Sequence, residues 1–478
     1  MDEQLDYRTL GLKIGLEIHQ QLDGHKLFCK CPPLVNDDHP VDIRFSRRIR
    51  ASAGEAGGVD VAASFEQAKE LEFFYEGCST SSCLVELDEE PPHPLNEDVL
   101  KTALVVSTII HAIPVPQIQI MRKIVVDGSN VSGFQRTMLV ATDGYIETSK
   151  GRINIPTVCL EEESAKKIAE SKNGITYRLD RLGVPLIEIA TDASIKDPEH
   201  AKEAASLIGM ILRSTGRVKR GIGSIRQDVN LSIKGHPRVE IKGFQDLRSI
   251  VKTISFEISR QQKAVGTKEA IAHVRKANPD GTTSYLRPMP GAERMYVETD
   301  IPSFGLSSFL LTKIKLPELI SEKTLRFEKE YCIPADLARE LVSTNTLFEK
   351  AAASFSKIPA SFLAQVFVSY PKEIRKRVGL DSDELSEDDY FSILLAYESG
   401  EITKEAVFEA IVWRLKHGKV DLSNFSNASD AELSKAIQEI VQKNKRASFG
   451  ALMGEVMKRF RGRVDGKKVS SLLKKALS

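Results

Sequence analysis

The chain has 478 residues, 41% hydrophobic and 28% charged, a composition typical of globular proteins and sufficient for about three domains. It contains no apolar run of about 20 residues and no N-terminal signal-peptide pattern, so we expect a cytoplasmic protein without a membrane span. The net charge is only +1, but the segment from Lys443 to Ser478 has eleven basic and two acidic residues. That surplus indicates either a tail that binds a polyanion or a solvated, lysine-rich helical face.

Near the N-terminus, apolar and polar residues alternate. Ile14, Leu16 and Ile18 have the spacing of a strand that buries one face. Glu17 and His19 then share the opposite face, where a carboxylate and an imidazole can meet at one cation or one reacting group. The alternative is a solvated strand face with an incidental histidine.

Four of the six cysteines form two pairs, Cys29 with Cys31 and Cys78 with Cys83. Cysteine pairs in cytosolic proteins bind metal more often than they form disulfides. The four thiolates therefore predict a structural zinc site, although the second pair has an unusual spacing.

The middle of the chain predicts an antiparallel sheet with helices. Strands are expected at residues 117–126, 134–141, 152–160, 177–191, 225–233 and 238–243, with a turn at 143–144. Helices are expected at 96–112, where Asn96 can cap the first turn, and at 202–214 and 255–275, the last interrupted at Gly266. From about Leu316 the periodicity is helical to the end.

Carboxylates cluster at the predicted strand ends. They are Glu17, Glu161, Glu162, Glu188, Asp228 and Glu240, with His19, Lys123, Arg226 and Lys242 among them. Oxygen ligands from several strands suit a hard cation such as Mg²⁺, which in turn suits nucleotide phosphates. No Walker lysine loop, dinucleotide fingerprint or nucleophile elbow occurs, so an ATP site would be of another kind. The alternative for residues 161–163 is that three mutually repelling carboxylates extend into water.

Several motifs occur together in a characteristic order. They lie at residues 15–19, 28–32, 86–96, 121–123, 127–135, 160–163, 185–190, 224–230 and 450–458. In this order they resemble the amidotransferase family that contains the GatE protein of archaeal glutamyl-tRNA(Gln) amidotransferase and the GatB protein of the bacterial enzyme. Each motif is weak alone, but the ordered set over most of the chain is specific.

The resemblance implies an α+β fold. A catalytic cradle on an antiparallel sheet, similar to glutamine synthetase, would occupy residues 1–312, followed by an all-α helical domain at 313–400 and a basic, tRNA-binding helical tail at 401–478. The implied reaction uses ATP to phosphorylate the glutamyl carboxylate of Glu-tRNA(Gln), and ammonia then displaces the phosphate. An asparaginase-like glutaminase partner protein would supply the ammonia within a heterotetramer.

The resemblance also implies roles for individual residues. Glu17, His19 and Glu162 would hold Mg²⁺, while Glu161, Glu188 and Asp228 would lie near a second cation or the ammonia path. Lys123, Arg226 and Lys242 would bind nucleotide phosphates. The tRNA-binding residues would be Lys443, Lys445, Arg446, Lys458, Arg459, Arg461, Arg463, Lys467 and Lys468.

The sequence departs from the family pattern in two places. Family members usually carry an insertion resembling part of bacterial aspartyl-tRNA synthetase where this chain has only the connector 265–284. Bacterial relatives with zinc have Cys-x-Cys and Cys-x2-Cys, unlike the second pair here. A non-catalytic tRNA-binding adapter is the competing function, and a free-standing ammonia ligase would leave the basic tail unexplained. Cys159 and Cys332 have no recognisable nucleophile context.

Overall fold

The computed structural model describes residues 6–33, 40–55, 57–172, 174–244, 246–291, 294–306, 314–344, 347–425, 428, 430–444, 447–460, 463–464 and 466–477. The chain divides into two compact units, Met1–Leu319 and Ile320–Ser478. None of the described helices is long and apolar enough to cross a membrane.

The described part of the first unit contains strands and four helices. The strands are β1 (Lys13–Gln21), β2 (Ile43–Arg47), β3 (Glu72–Gly77), β4 (Ile113–Pro114), β5 (Gln117–Ile118), β6 (Ile120–Ile124), β7 (Phe134–Thr148), β8 (Gly151–Glu162), β9 (Lys166–Glu170), β10 (Gly174–Arg178), β11 (Pro185–Ala190), β12 (Ile225–Ser232), β13 (Val239–Phe244), β14 (His273–Ala277), β15 (Thr283–Pro288), β16 (Met295–Val297) and β17 (Phe304–Gly305). The helices are α1 (Val61–Gln67), α2 (Glu97–Ile109), α3 (Pro198–Ser214) and α4 (Leu247–Ala264).

One large sheet organises this unit. Its strand order is β15-β14-β13-β12-β1-β11-β8-β7-β6-β16, with β4 paired to β7. Neighbours are antiparallel except β13 and β14. A smaller sheet has the order β2-β3-β10-β9, and β5 pairs with β17. The α+β class with a large antiparallel sheet is therefore confirmed.

Helices cover one face of the large sheet. Ile14, Leu16 and Ile18 of β1 are fully buried and belong to one hydrophobic core with α2, α3 and α4. The helix predicted after Asn96 is confirmed: the Asn96 side-chain oxygen accepts from the backbone N–H groups of Asp98 and Val99 at 3.1 and 3.3 Å. This cap satisfies donors that the first helical turn leaves unpaired.

Several local predictions were wrong. The single strand expected at 177–191 is two strands, β10 and β11, separated by a 3-10 turn at Leu179–Arg181. The turn expected at 143–144 is part of β7, which continues to Thr148 and stays paired with β8; Asp143 has a φ of 56° there. The long cross-strand pairing outweighs the local turn preference of Asp-Gly. The helix expected at 255–275 ends at Ala264, and β14 follows it. The connector 265–284 therefore adds a strand to the large sheet.

The second unit is helical in its described part, which agrees with the prediction. Its helices are α5 (Ile320–Tyr331), α6 (Ala335–Thr344), α7 (Phe348–Ser354), α8 (Ala360–Ala364), α9 (Tyr370–Val378), α10 (Glu387–Glu398), α11 (Lys404–His417), α12 (Asp430–Lys443), α13 (Phe449–Arg459) and α14 (Gly466–Leu477), with a π-helical turn at Gln365–Ser369. One hydrophobic cluster runs from Phe327 to Phe425 and another from Ala428 to Leu473. The first cluster extends past residue 401, the predicted start of the tail domain, because Val407 and Ile411 of α11 pack in it.

Gly128 tests how tightly the loop before β7 is packed. Its φ is +85°, and a Cβ there would overlap the ring of Phe73. We expect Gly128→Ala to lower the free energy of unfolding by more than the ~1 kcal/mol typical of left-handed strain, because overpacking adds roughly 1–3 kcal/mol. Chemical denaturation of the full chain measures the difference.

Gly266→Ala is the matched control. Its φ is +78°, and no atom lies within 4 Å of the added Cβ. The free energy of unfolding of this variant should fall only by the amount due to the left-handed backbone strain. Equal losses in the two variants would contradict the packing of Phe73 against Gly128.

Candidate active site

The face of the large sheet opposite the helices carries the candidate site; we call it the polar face. Glu17 and His19 project from β1, which lies between β11 and β12. The register places His19 opposite both Glu188 of β11 and Arg226 of β12. The alternation predicted for β1 is therefore confirmed, and it brings these side chains together in the middle of the sheet.

The first group on the polar face is His19, Glu161 and Glu188. One ligand atom from each lies within 4.8 Å of the others. His19 Nε2 is 3.0 Å from Glu188 Oε2. Burial alone would lower the pKa of His19, but the Glu188 carboxylate outweighs it and the pKa is raised. The pKa of Glu188 is held well below its usual range, since its contacts with His19 and Lys123 outweigh its burial.

Three side chains hold Glu161 in place. Lys123 forms an ion pair with its Oε1, and Thr137 Oγ1 donates to the same oxygen at 2.9 Å. Gln135 Nε2 donates to Oε2 at 3.3 Å. Burial works against the charge of Lys123, but Glu161 and Glu188 raise its pKa overall, so the ammonium is stabilised.

The second group on the polar face is Glu17, Asp228 and Glu240, again with one atom each within 4.8 Å of the others. Lys242 Nζ donates to Asp228 Oδ2 at 2.7 Å and also pairs with Glu240. The Asn230 amide donates to Glu17 Oε1 at 2.8 Å. Burial, followed by the charges of Glu240 and Glu188, raises the pKa of Glu17. Three carboxylates thus share one lysine, which leaves this group short of positive charge.

Both groups fit a hard divalent cation. Carboxylate oxygens with one imidazole are suitable ligands for Mg²⁺. The side-chain oxygen of Asn230 is buried without a hydrogen-bond donor among the described residues, next to Glu17. A cation there would satisfy that oxygen and relieve the repulsion between the carboxylates.

Glu162 does not join Glu17 and His19 as expected. It follows Glu161 directly on β8, so its side chain points to the other side of the strand. There it accepts from the backbone N–H of Arg136 at 3.1 Å and lies 3.3 Å from its guanidinium. The structure brings Glu161 and Glu188 to His19 instead.

The three cations expected to bind phosphate all contact carboxylates. Lys123 pairs with Glu161, and Lys242 pairs with Asp228. Arg226 donates to both oxygens of Glu163, at 2.7 and 2.8 Å. Glu163, which the sequence analysis gave no role of its own, also accepts from Gln21 at 3.2 Å. In the sequence, only its position in the run of three glutamates could have marked Glu163 as a residue of the site.

The cysteine group differs from the expected one. Cys29, Cys31 and Cys83 are joined by Glu86, with one ligand atom each within 4.8 Å of the others. Cys78 lies outside this group, and its Sγ is 3.0 Å from Thr80 Oγ1. The hydrogen bond from Cys29 lowers the pKa of Cys31 to about 7, whereas burial raises the pKa of Cys83 to about 12. Three thiols and a carboxylate are a suitable tetrahedral donor set for zinc.

The tail residues are only partly described. Lys445, Arg446 and Arg461 lie outside the described residues, as does the side chain of Lys467. Arg459 and Arg463 form ion pairs with Glu439 and Glu432, at 3.0 and 3.3 Å. The other expected tRNA-binding residues, Lys443, Lys458 and Lys468, lie on α12, α13 and α14.

Comparison with known families agrees with this architecture. A model of the GatB/GatE catalytic domain matches residues 12–312, and a model of the GatB domain matches residues 346–477. The chain belongs to the GatB/GatE family.

Full-length relatives in this family carry the name of the E component of glutamyl-tRNA(Gln) amidotransferase. The protein of Methanosarcina acetivorans is 36% identical over an alignment that covers 99% of each chain. The protein of Methanocaldococcus jannaschii is 35% identical with the same coverage, and that of Methanococcus vannielii is 35% identical over 99% of this chain and 98% of its own. Their name marks them as components of a multi-subunit amidotransferase.

These alignments also show that this GatB/GatE chain is shorter than its relatives. The M. vannielii alignment runs over 625 positions, whereas this chain has 478 residues. The relatives therefore contain residues without a counterpart here. That these are the insertion expected at the connector 265–284 stays a prediction.

We propose that the cysteine group binds zinc and that Glu86, rather than Cys78, supplies the fourth ligand. The purified protein should then contain about one zinc per chain, because three thiolates and a carboxylate complete a tetrahedral site. Cys83→Ser should lose most of this metal, and Cys78→Ser should retain it. Elemental analysis of the purified full chains decides; loss in both variants, or zinc in neither the variants nor the parent, contradicts the assignment.

The buried ion pairs of Glu298 with two arginines provide a test of the electrostatics of this unit. It bridges Arg122 and Arg136, and these contacts outweigh its burial and lower its pKa to about 2. A depressed pKa stabilises the fold above the ordinary carboxyl pKa, and the contribution disappears as the pH falls towards about 2. The stability that Glu298→Gln loses should therefore be largest at neutral pH and shrink progressively below about pH 4.5.

Urea titrations of the parent and the variant across this pH range measure the difference. Glu330→Gln is the control, because Glu330 forms an exposed ion pair with Arg326 at 3.0 Å. A loss in Glu298→Gln that does not change with pH would contradict the bridge.

Proposed function

We propose that this chain is the component of a glutamyl-tRNA(Gln) amidotransferase that activates the substrate carboxylate with ATP. The observation that carries the proposal is the pair of acidic groups on the polar face, with Lys123, Arg226 and Lys242 beside them. Membership of the GatB/GatE family over both matched segments supports it. An adapter that only binds RNA has no use for buried carboxylates facing a polyanion.

The proposed reaction has two steps. An oxygen of the glutamyl side-chain carboxylate attacks the γ-phosphorus of ATP, the bond to the β-phosphate oxygen breaks, and ADP leaves. The lone pair of ammonia then attacks the acyl carbon of the acyl phosphate. The carbon–oxygen bond to phosphate breaks, which gives the amide, inorganic phosphate and a proton.

The residues of this chain would position and neutralise the reacting groups. Lys123 and Lys242 are held as cations by their carboxylate neighbours and can contact phosphate oxygens from opposite sides of β1. The carboxylates of the two acidic groups would hold Mg²⁺, which would balance the charge of the phosphates. Such positioning and charge stabilisation supply most of the catalysis in phosphoryl transfer.

The ammonia and the RNA imply partners. Cys159 lies among these groups, but burial and then the charge of Glu188 raise the pKa of its thiol, which does not suit a glutaminase nucleophile. We therefore propose an asparaginase-like glutaminase partner within a heterotetramer, and tRNA binding by the basic tail. We also propose that the complex acts in the cytoplasm, because its proposed substrate is a tRNA used in translation.

ADP release from ATP by the full chain, with Mg²⁺ and ammonium, tests this function. We expect turnover with Glu-tRNA(Gln) and none with uncharged tRNA(Gln). Glu188→Gln removes the carboxylate between His19 and Lys123 and should reduce turnover by at least about 100-fold, the usual size of a lost electrostatic contact in a reacting centre. Glu170→Gln, which changes an exposed glutamate of β9, is the matched control.

The outcomes separate the candidate functions. Tight tRNA binding with no turnover, even after the glutaminase partner is added, would favour the adapter. Normal turnover in Glu188→Gln would remove the polar face from the reaction.

A further inference from the structure

A second charged site lies beside the polar face. A cleft of about 980 Å³ opens where β1 and β12 meet the loop after α3; we call it the basic cleft. Its basic lining residues are Lys166, Arg181, Arg213, Lys219 and Arg220. Asp23 is the only acidic residue among its described lining residues. Among the described lining residues, basic side chains therefore outnumber acidic ones.

Arg213 and Lys219 lack the direct carboxylate contacts of the cations on the polar face, although the charge of Asp23 acts on Lys219. Neither Arg213 nor Lys219 forms an ion pair with any residue in the described ranges. Lys219 Nζ donates to the backbone carbonyl of Pro33 at 2.5 Å. Its burial lowers its pKa to about 8. Arg181 donates to the carbonyl oxygens of Ser164 and Ala165, both at 2.9 Å. Lys219 and Arg181 are therefore partly buried cations that donate to neutral oxygens, and Arg213 is exposed. Such cations are suited to an anionic ligand.

The loop at the rim of the cleft leaves room for a ligand backbone. Gly221 and Gly223 have φ values of +110° and +84°, and no atom lies within 4 Å of a Cβ built on either glycine. Ile222 between them is fully exposed. Such a loop allows close approach of a phosphate to the protein backbone.

The position of the cleft connects it to the reaction. Gln21 lines the cleft and lies two residues beyond His19 on β1, which is about 7 Å along the strand. Gln21 also donates to Glu163, the partner of Arg226. An anion bound beside Gln21 in the cleft would thus lie close to His19 and the polar face.

The residues that line the cleft favour an RNA backbone over a free nucleotide as its ligand. No aromatic ring occurs among the described lining residues, so the cleft offers no platform for stacking an adenine base. Its cations come from three separate segments: the start of β9, the turn before β11, and the end of α3 with the loop after it. Spaced cations match successive phosphates of a strand better than one compact triphosphate.

We propose that the basic cleft binds the backbone phosphates of the substrate RNA next to its aminoacylated end and so directs the glutamyl group to the polar face. The proposal rests on the proposed function, because that function supplies an RNA substrate. Arg213 and Lys219 carry the interaction, since no ion pair with a described residue has to be broken first.

The test compares the full chain with the double variant Arg213→Gln/Lys219→Gln. The probes are labelled tRNA(Gln) in direct binding between roughly 50 and 200 mM salt, and Glu-tRNA(Gln) and ATP in turnover. We expect the Kd and KM for the RNA to rise about tenfold, the salt slope to fall by about 0.7–0.9 for each lost contact, and the KM for ATP to stay unchanged.

Two further variants control the test. Lys234→Gln removes one positive charge, half the change made by the double variant, from an exposed residue beyond the far end of β12, and it should not affect either KM. Arg213→Lys/Lys219→Arg keeps the charge and should restore RNA affinity, which a folding defect would not. A raised KM for ATP with unchanged RNA affinity, or no change in either, would overturn the proposal. If the double variant weakens RNA binding but the parent shows no turnover, the cleft stands and the proposed function fails.

Discussion

Side chains two residues apart on a strand share a face, and this constraint on β1 shapes the rest of the first unit. The same segment that buries Ile14, Leu16 and Ile18 against three helices must direct Glu17 and His19 away from them. Because β1 lies near the middle of the sheet, the neighbouring strands bring further polar groups to that side. The packing of the hydrophobic core thus fixes the position of the polar side chains. A slip of one residue in register would turn the polar side chains into the core and the apolar ones out of it.

The run Glu161–Glu163 shows how the fold manages charge. Each of the three glutamates has its own cation: Lys123 for Glu161, Arg136 for Glu162 and Arg226 for Glu163. All three carboxylates are buried, so the alternative in which they extend into water is wrong. Burying three adjacent charges is tolerable only because alternate strand residues diverge and each carboxylate is paired.

Periodicity predicted β1, α2 and the helical second half, since their patterns repeat over many residues. It could not predict the partners of single side chains. Neighbouring residues of β8 point to opposite sides of the strand, so Glu162 faces Arg136 although it follows Glu161 directly. Which side each residue takes is known only once the register of the strands is known. Glu86 replaces Cys78 among the thiols because Cys78 points towards Thr80, which the spacing of cysteines cannot show. The basic cleft combines segments far apart in sequence, so no local pattern predicts it.

If the polar face binds phosphate and metal as proposed, the ion pairs on it would couple the two binding events. A phosphate that takes Lys123 from Glu161 leaves that carboxylate buried without its cation, an arrangement that costs several kcal/mol in proteins. The same holds for Lys242, which already serves both Asp228 and Glu240. A divalent cation that arrives with the phosphate would offset this loss, since it provides the missing positive charge where the carboxylates converge. We therefore expect the nucleotide to bind this face well only when the metal is present. Arg213 and Lys219 of the basic cleft have no ion pair with a described residue to exchange before they contact an anion.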